Sequence, residues 1–207
     1  MFGMIKLKID GELFGKMKTL AREIGERFEH FYLSGGTAIM FKYKHRMSID
    51  LDFFRYGEFS KRRLAVKLGR MFSVEDIEEG IDDINFIING IRVSFVYFPF
   101  KNIKHTEKID GIRIAHDYDL LLNKIYVAGR RIDPKDPYDF AFLYYNGKVP
   151  KDWSLIKSDF EKKFPSQSFE LYMGALLNLE DYPQLMEPIK RQIESIRRDF
   201  ISWVSSH

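Results

Sequence analysis

The sequence predicts an α+β fold, in which a mixed sheet flanked by helices is followed by a C-terminal helical domain. Strand-like alternation of apolar residues recurs up to Ile114. Asn89-Gly90 lies between two apolar runs and favours the tight turn of a β-hairpin. From His116 onward the pattern changes to that of helices. We therefore expect an α/β core over residues 1–114 and a helical domain over residues 115–207.

The core begins with a helix, a short strand and a second helix. Apolar residues three to four positions apart predict an amphipathic helix over 12–28. Residues 29–33 form a short extended run that ends at Gly35-Gly36, and a helix over 37–43 follows. A further helix over 60–71 is expected, since the serine at its start can accept a hydrogen bond from an early backbone amide.

Four more strands are predicted from apolar alternation and from the residues that bound each run. They span 49–53, 84–88, 91–98 and 108–114. The two hairpin arms on either side of Asn89-Gly90 are expected to pair as adjacent antiparallel strands. The acidic segment 75–83 is predicted to be a loop.

Five helices are predicted for the second domain, because prolines fall between or at the start of segments with helical spacing. The predicted helices span 119–130, 137–145, 153–164, 168–179 and 183–203. Pro188 is expected to delay or kink the last of them.

Composition limits the class of protein. The 207 residues are 45% hydrophobic and 30% charged, which describes a globular protein with enough chain for an enzyme. The absence of cysteine excludes disulfides, thiolate zinc sites and a cysteine nucleophile. No apolar run is long enough to span a membrane and the first six residues show no signal-peptide pattern, so we expect a cytoplasmic protein without a membrane partner. A net charge of +3 does not by itself indicate a nucleic-acid partner.

Asp50 and Asp52 are the first candidate site residues. They alternate with the apolar residues Ile49, Leu51 and Phe53, which places both carboxylates on one face of a strand. Their Cα atoms would then lie about 6.6 Å apart, so the carboxylates can converge on two divalent ions about 4 Å apart. Taken alone, two aspartates at this spacing more often lie on the solvated face of a sheet and have no catalytic role.

The glycine pair Gly35-Gly36 is the second candidate feature. Glycines allow the backbone to turn sharply and leave amide N–H groups open to an anion, at which the next helix would begin. A glycine pair alone is usually just a turn. Here thirteen residues, 37–49, separate it from Asp50, which is enough for one short helix and a turn into the neighbouring strand.

This succession of strand, glycine turn, helix and acidic strand resembles the core of the DNA polymerase β-like nucleotidyltransferases. More narrowly, Leu33-Ser-Gly-Gly-Thr-Ala38 and His45-Arg46-x-Ser48-x-Asp50-Leu-Asp52-Phe-Phe54 resemble the AbiEii nucleotidyltransferases, the toxin component of type IV toxin–antitoxin pairs. The resemblance implies transfer of a nucleoside monophosphate from a nucleoside triphosphate to a hydroxyl group on RNA or protein. It also implies Mg²⁺ or Mn²⁺ as cofactor and a cognate antitoxin that acts indirectly.

The resemblance further implies roles for individual residues. Asp50 and Asp52 would hold the metal. Arg46 would pair with a phosphate or orient the acidic strand, with a structural ion pair as the alternative. The residues implied to touch phosphate oxygens are Ser34, Gly35, Gly36 and Thr37.

A second match lies in the helical domain, where a lysine within a helix is followed by a basic residue, an aspartate, two residues and a second aspartate. In this chain they are Lys124, then Lys135-Asp136-Pro-Tyr-Asp139. The resemblance implies that Lys124 contacts the triphosphate, and we expect its amine to emerge at the edge of an apolar face. Asp136 and Asp139 would share a helix face, one capping the helix or holding a basic group and the other assisting the acceptor hydroxyl. Asp136 before a proline is also a suitable N-cap.

The chain departs from the pattern at one position. Nucleotidyltransferases of this fold usually carry a third carboxylate on a later central strand, but 91–98 contains no acid and Ser94 is expected there. A second metal would lose a ligand. Two alternatives therefore stay open, a nucleotide- or RNA-binding module without catalysis and a nucleotidyltransferase that acts on a small molecule such as an antibiotic.

Overall fold

The structure is a computed structural model that describes residues 9–206. Residues 1–8 and His207 lie outside the described residues. The expectation that the first six residues form no signal peptide therefore also lies outside them. The α-helices are α1 Gly11–Arg27, α2 Gly35–Tyr43, α3 Lys61–Gly69, α4 Asp117–Ala128, α5 Lys135–Asn146, α6 Trp153–Lys163, α7 Phe169–Leu177 and α8 Glu187–Val204. The strands are β1 Tyr32–Ser34, β2 Asp50–Arg55, β3 Val74–Glu79, β4 Asp83–Ile88, β5 Ile91–Tyr97, β6 Glu107–Ile109 and β7 Ile112–Ile114.

The strands form one mixed sheet in the order β3-β4-β5-β2-β1-β7-β6. β2 runs parallel to β5 and β1 parallel to β7, whereas the other neighbours are antiparallel. Asn89 and Gly90, which join β4 to β5, both have positive φ, as a tight hairpin turn requires. The predicted α+β fold class and the predicted hairpin are therefore confirmed.

One face of the central strands forms the core of the sheet. Leu51 and Phe53 on β2 and Val93 and Phe95 on β5 are buried. The ring of Phe95 lies 5.0 to 6.0 Å, between centroids, from four others, those of Phe28, Phe31, Phe53 and Phe86. Each buried phenylalanine contributes about 1.5 to 3 kcal/mol, so this face stabilises the sheet. The opposite face is left to carry polar groups.

The loop predicted for residues 75–83 is wrong over most of its length, because β3 covers Val74–Glu79. β3 is an edge strand that pairs with β4, and residues 75–79 are exposed. A strand exposed on both faces has no need of alternating apolar residues, which is the pattern used to predict strands. Its acidic side chains also oppose pairing with other chains at the sheet edge.

The single strand predicted for 108–114 is instead two strands, β6 and β7, joined at Asp110-Gly111. These two residues have φ values of 49° and 84°, in the left-handed region that tight hairpin turns use. Asp-Gly is itself a hairpin signal, but each arm contains only three residues, which is too short for a clear alternation.

Residues 102–104 and 116–206 form a helical unit, and residues 9–101 and 105–115 form the sheet unit. In the helical unit, α4 to α8 pack around buried aromatic side chains, among them Trp153, Phe160, Phe164, Phe169 and Phe200. Asp152 and Ser168 cap α6 and α7 by accepting backbone N–H groups. No helix in the described part of the chain is both long and apolar enough to cross a membrane.

Four helices of this unit begin at different residues from those predicted, and the shift is one or two residues for α4, α5 and α7 and four for α8. α5 begins at Lys135 rather than at residue 137, so Asp136 lies inside the first turn and is not its N-cap. α8 begins at Glu187 rather than at residue 183, with Pro188 in the first turn, where the fixed φ of proline suits a helix.

Candidate active site

The glycine turn brings the start of α2 against the acidic strand. Ser34 at the end of β1 lies directly opposite Asp52 on β2. Gly35 follows with a φ of 71°, and a Cβ atom at this position would lie 2.9 Å from Asp52 Oδ2. Both the backbone conformation and the close approach therefore favour glycine here.

Gly36 lies against Arg46. A Cβ atom at Gly36 would overlap the Arg46 guanidinium group and lie 3.1 Å from Ser48 Oγ. Arg46 is buried, with 7% of its surface exposed, and its Nη1 donates to the carbonyl oxygen of Met47 at 2.9 Å. The N-terminus of a helix and a guanidinium group are both positive, so their proximity favours an anion at this end of α2.

Asp50 and Asp52 lie on the same face of β2. Leu51 and Phe53 between and after them are buried on the other face, whereas both aspartates are half-buried. Asp52 lies directly opposite Ser94 on β5, and Asp50 lies directly opposite Arg92. The strand register therefore places Ser94 beside the aspartate pair.

The side chains whose hydroxyl groups are predicted to touch phosphate are more buried than the glycine pair. Ser34 and Thr37 are both fully buried. Thr37 Oγ1 donates a hydrogen bond to the backbone carbonyl oxygen of Asp50, which fastens the first turn of α2 to β2. This bond indicates a structural role for the Thr37 hydroxyl, so the backbone amides of the turn are the better candidates to bind an anion.

The helical unit contains a separate cluster around Lys124. The Lys124 Nζ atom lies 2.8 Å from Asp136 Oδ1 and 2.8 Å from Asp139 Oδ2, and Arg131 Nε donates to Asp136 Oδ2 at 2.9 Å. Both aspartates are fully buried and Lys124 is 6% exposed. The prediction that this amine emerges at the edge of a helix face is therefore wrong, because two buried carboxylates enclose it. Asp136 and Asp139 hold a basic group, as one of the predicted alternatives states.

The charges of this cluster depend on one another. Burial lowers the pKa of Lys124, but Asp139 and Asp136 outweigh that effect and the pKa is raised. Burial likewise raises the pKa of Asp136, but Lys124 and Arg131 outweigh it and the pKa is lowered. Both groups are therefore charged at neutral pH.

The aspartate pair provides part of the ligand set of a divalent metal. Within residues 9–206, no three acidic or histidine side chains come together as a self-sufficient metal site. Mg²⁺ commonly binds through one or two carboxylates together with water and substrate phosphates. Asp50 and Asp52 on one strand face, with the anion-favouring end of α2 beside them, match that ligand set.

Three residues of these clusters are absent from the predicted site. Ser48 lies in the motif from His45 to Phe54, and Arg131 lies between Lys124 and Lys135 of the second motif. Their positions in the sequence could therefore have suggested them. Asn85 accepts a hydrogen bond from Ser94 Oγ at 2.6 Å. The predicted hairpin with its two-residue turn at Asn89-Gly90 already pairs these two positions, so the register could have suggested Asn85 as a neighbour of Ser94.

Similar solved structures define the class to which this fold belongs. JHP933 from Helicobacter pylori has a TM-score of 0.54 and 16% identity, over 96% of this chain and 97% of that protein. An antigenic nucleotidyltransferase-like protein from Paracoccidioides brasiliensis has a TM-score of 0.50 and 16% identity, over 86% and 92% of the two chains. The fold is that of the nucleotidyltransferase-like proteins.

The family is more specific. The model of the nucleotidyl transferase AbiEii toxin, type IV toxin–antitoxin system, matches residues 18–203. An uncharacterized protein of Aquifex aeolicus is 30% identical over 175 residues, which cover 82% of this chain and 84% of that protein. The chain belongs to the AbiEii nucleotidyltransferase toxin family, as the resemblance of its two motifs indicates.

Proposed function

We propose that this protein is a Mg²⁺- or Mn²⁺-dependent nucleotidyltransferase and the toxin of a type IV pair. It would transfer a nucleoside monophosphate from a nucleoside triphosphate to a hydroxyl group on RNA or protein. The observation that carries the proposal is the contact between the glycine turn and the acidic strand, where a Cβ atom at Gly35 would lie 2.9 Å from Asp52 Oδ2. The amides that would bind phosphate and the carboxylates that would bind the metal are thereby adjacent.

In the sheet unit, one set of residues would bind the metal and another set would bind the phosphates. Asp50 and Asp52 would hold the metal, and the amides of Gly35 and Gly36 with the Arg46 guanidinium would bind phosphate oxygens. When bound, the metal supplies positive charge to the triphosphate and lowers the pKa of an acceptor hydroxyl. The protein contributes mainly position and charge, as phosphoryl-type transfer requires.

Lys124, Asp136 and Asp139 are proposed to take part in the reaction because their spacing resembles that of the family's later motif. The two carboxylates keep Lys124 protonated, so its ammonium group is a fixed positive charge within the cluster. We propose that this charge contributes to triphosphate binding and that Asp139 assists the acceptor hydroxyl. Asp136 also binds Arg131, so it is the better candidate for positioning.

The direct test is transfer of radiolabelled nucleotide to bulk RNA, to proteins and to a panel of small molecules. Label should appear on RNA or protein in the presence of Mg²⁺ or Mn²⁺ and fall to background in Asp50→Asn and Asp52→Asn variants. Asp82→Asn, an exposed aspartate of the same unit, is the matched control and should retain full activity. Label on an antibiotic or another small molecule instead would favour the small-molecule alternative.

A binding module without catalysis is the second candidate, and Ser94 is the observation that favours it. Ser94 lies directly opposite Asp52, where an acid would complete the metal ligands. Such a module would bind a nucleoside triphosphate and metal with the same dependence on Asp52 but would leave the nucleotide unchanged. Recovery of intact triphosphate after prolonged incubation with every acceptor would favour this alternative.

A further inference from the structure

We propose that Ser94 is a neutral metal ligand, oriented by a hydrogen-bond chain that runs through Asn85 to Asp83. The inference rests on the proposed function, because it concerns the metal that Asp50 and Asp52 would hold. Ser94 would be the ligand, and Asn85 and Asp83 would be positioning residues.

Strand register makes a continuous polar row beside the aspartate pair. Asp52 on β2 lies opposite Ser94 on β5, and Ser94 lies opposite Asn85 on β4. Residues directly opposite one another on neighbouring strands share a sheet face, and the strands lie about 4.8 Å apart. Asp83 lies two residues before Asn85 on the same face, since side chains alternate along a strand.

The hydrogen bonds in this row have a defined direction. Asn85 Nδ2 donates to Asp83 Oδ2 at 2.8 Å, and Ser94 Oγ donates to Asn85 Oδ1 at 2.6 Å. A carboxylate only accepts, so Asp83 fixes the amide nitrogen of Asn85 on its own side. The amide oxygen then faces Ser94, and because it also only accepts, Ser94 must donate.

This direction determines what Ser94 can offer on its other side. Its hydrogen is committed to Asn85, so its remaining lone pairs can only accept a hydrogen bond or bind a cation. Asp52, directly opposite, is a carboxylate and has no hydrogen to give. Two oxygen acceptors at neighbouring positions can bind the same cation.

The hydrogen-bond chain from Ser94 to Asp83 also explains how the site would bind a metal without a third carboxylate. A neutral oxygen adds a ligand but no charge, so the metal meets two protein carboxylates rather than three. We therefore expect weak metal binding in the absence of nucleotide and stronger binding when the triphosphate adds its own negative charge. Metal and nucleotide should bind together.

A Ser94→Cys variant tests the ligand directly, because the natural sequence contains no cysteine. Sulfur is a soft ligand that Cd²⁺ accepts readily, and a cadmium–thiolate bond gives an ultraviolet charge-transfer band. With a non-hydrolysable nucleoside triphosphate bound, Cd²⁺ should produce this band in Ser94→Cys. Ser73→Cys, at an exposed position of the same unit, should give none. A band of equal strength in both variants, or in neither, would overturn the inference.

Mn²⁺ binding, followed by electron paramagnetic resonance, supplies the second measurement. Ser94→Ala and Asn85→Ala should each weaken Mn²⁺ binding about 10- to 100-fold, whereas Ser94→Thr, which keeps the hydroxyl, should preserve it. Asp82→Asn is the control for Asp83→Asn, which should resemble Asn85→Ala. Circular dichroism checks that each variant is folded.

Asp52→Asn separates this inference from the proposed function. If Asp52→Asn abolishes Mn²⁺ binding while folded Ser94→Ala binds as the parent does, Ser94 is not a ligand and the metal site stands without it. If Asp52→Asn binds Mn²⁺ unchanged, the metal site itself is refuted, and the Ser94 inference falls with it.

Discussion

At the scale of single residues, the helical unit is unusual in burying a lysine between two aspartates. Lys124 lies 2.8 Å from each of Asp136 and Asp139, and neither carboxylate is exposed. Removing one partner of such a cluster leaves an uncompensated buried charge, which is costly even where the intact cluster adds little net stability. The cluster is therefore a sensitive point for stability as well as a candidate for catalysis.

Lys124→Met should lower the free energy of unfolding by about 3 to 5 kcal/mol, because two buried carboxylates lose their common cation. Lys135→Met, an exposed lysine of the same unit, is the matched control and should change it by less than about 0.5 kcal/mol. Urea unfolding at neutral pH measures both. Equal losses in the two variants would show that the ion pairs of Lys124 do not stabilise the fold.

Acid should weaken this cluster in a defined direction. The pKa of Asp136 is lowered from its ordinary value of 3.8. A carboxyl group whose pKa is lower in the folded state stabilises the fold above its unfolded pKa, and this stabilisation is lost as pH falls through the folded pKa. Asp136→Asn should therefore be less stable than the parent at pH 7 and should show a smaller further loss below about pH 4.

Urea unfolding between neutral pH and about pH 2.5 measures this dependence. Asp199→Asn, at an exposed position on α8, is the control and should follow the parent curve throughout. If Asp136→Asn kept the full acid dependence of the parent, other carboxyl groups would be responsible for it.

At the scale of elements, the start of α2 links the glycine turn to β2. Gly35 has a positive φ and adjoins Asp52, while Thr37 fastens the same turn to the backbone of Asp50. The position of the aspartate pair therefore depends on how α2 begins.

Gly35→Ala should be both destabilising and damaging to the site. A left-handed conformation costs an alanine about 1 to 2 kcal/mol, and its Cβ would press on Asp52 Oδ2. Gly25→Ala, in the interior of α1 with open space around it, is the control and should stabilise the helix by about 0.5 to 1 kcal/mol. Thermal unfolding compares the two variants, and a Gly35→Ala protein as stable as Gly25→Ala would contradict the assigned conformation.

The elements that were predicted well are those with a local cause. Asn89-Gly90 specifies a hairpin turn through its own backbone preferences, and the alternation around Leu51 follows from one buried face. β3 was missed because an exposed edge strand needs no apolar pattern. The predicted start of α5 is wrong because Pro137 need not be the first residue of a helix and is accepted anywhere in the first turn.

At the scale of the whole molecule, the sequence indicates the site better where its parts are close in the chain. Gly35-Gly36 and the aspartates at positions 50 and 52 lie within one short segment, so spacing alone suggests that they meet. The pairing of Asn85 with Ser94 follows from the two-residue hairpin turn between their strands. Their hydrogen bond and the burial of Lys124 depend instead on side-chain packing, which local pattern does not indicate.

The central claim is that Asp50 and Asp52 bind a divalent metal together with a nucleoside triphosphate. Calorimetric titration of the protein with a non-hydrolysable triphosphate, with and without Mg²⁺ or Mn²⁺, tests it most directly. We predict binding that requires the metal and that disappears in a folded Asp50→Asn, Asp52→Asn double variant. Undiminished metal-dependent binding in that variant would contradict the account.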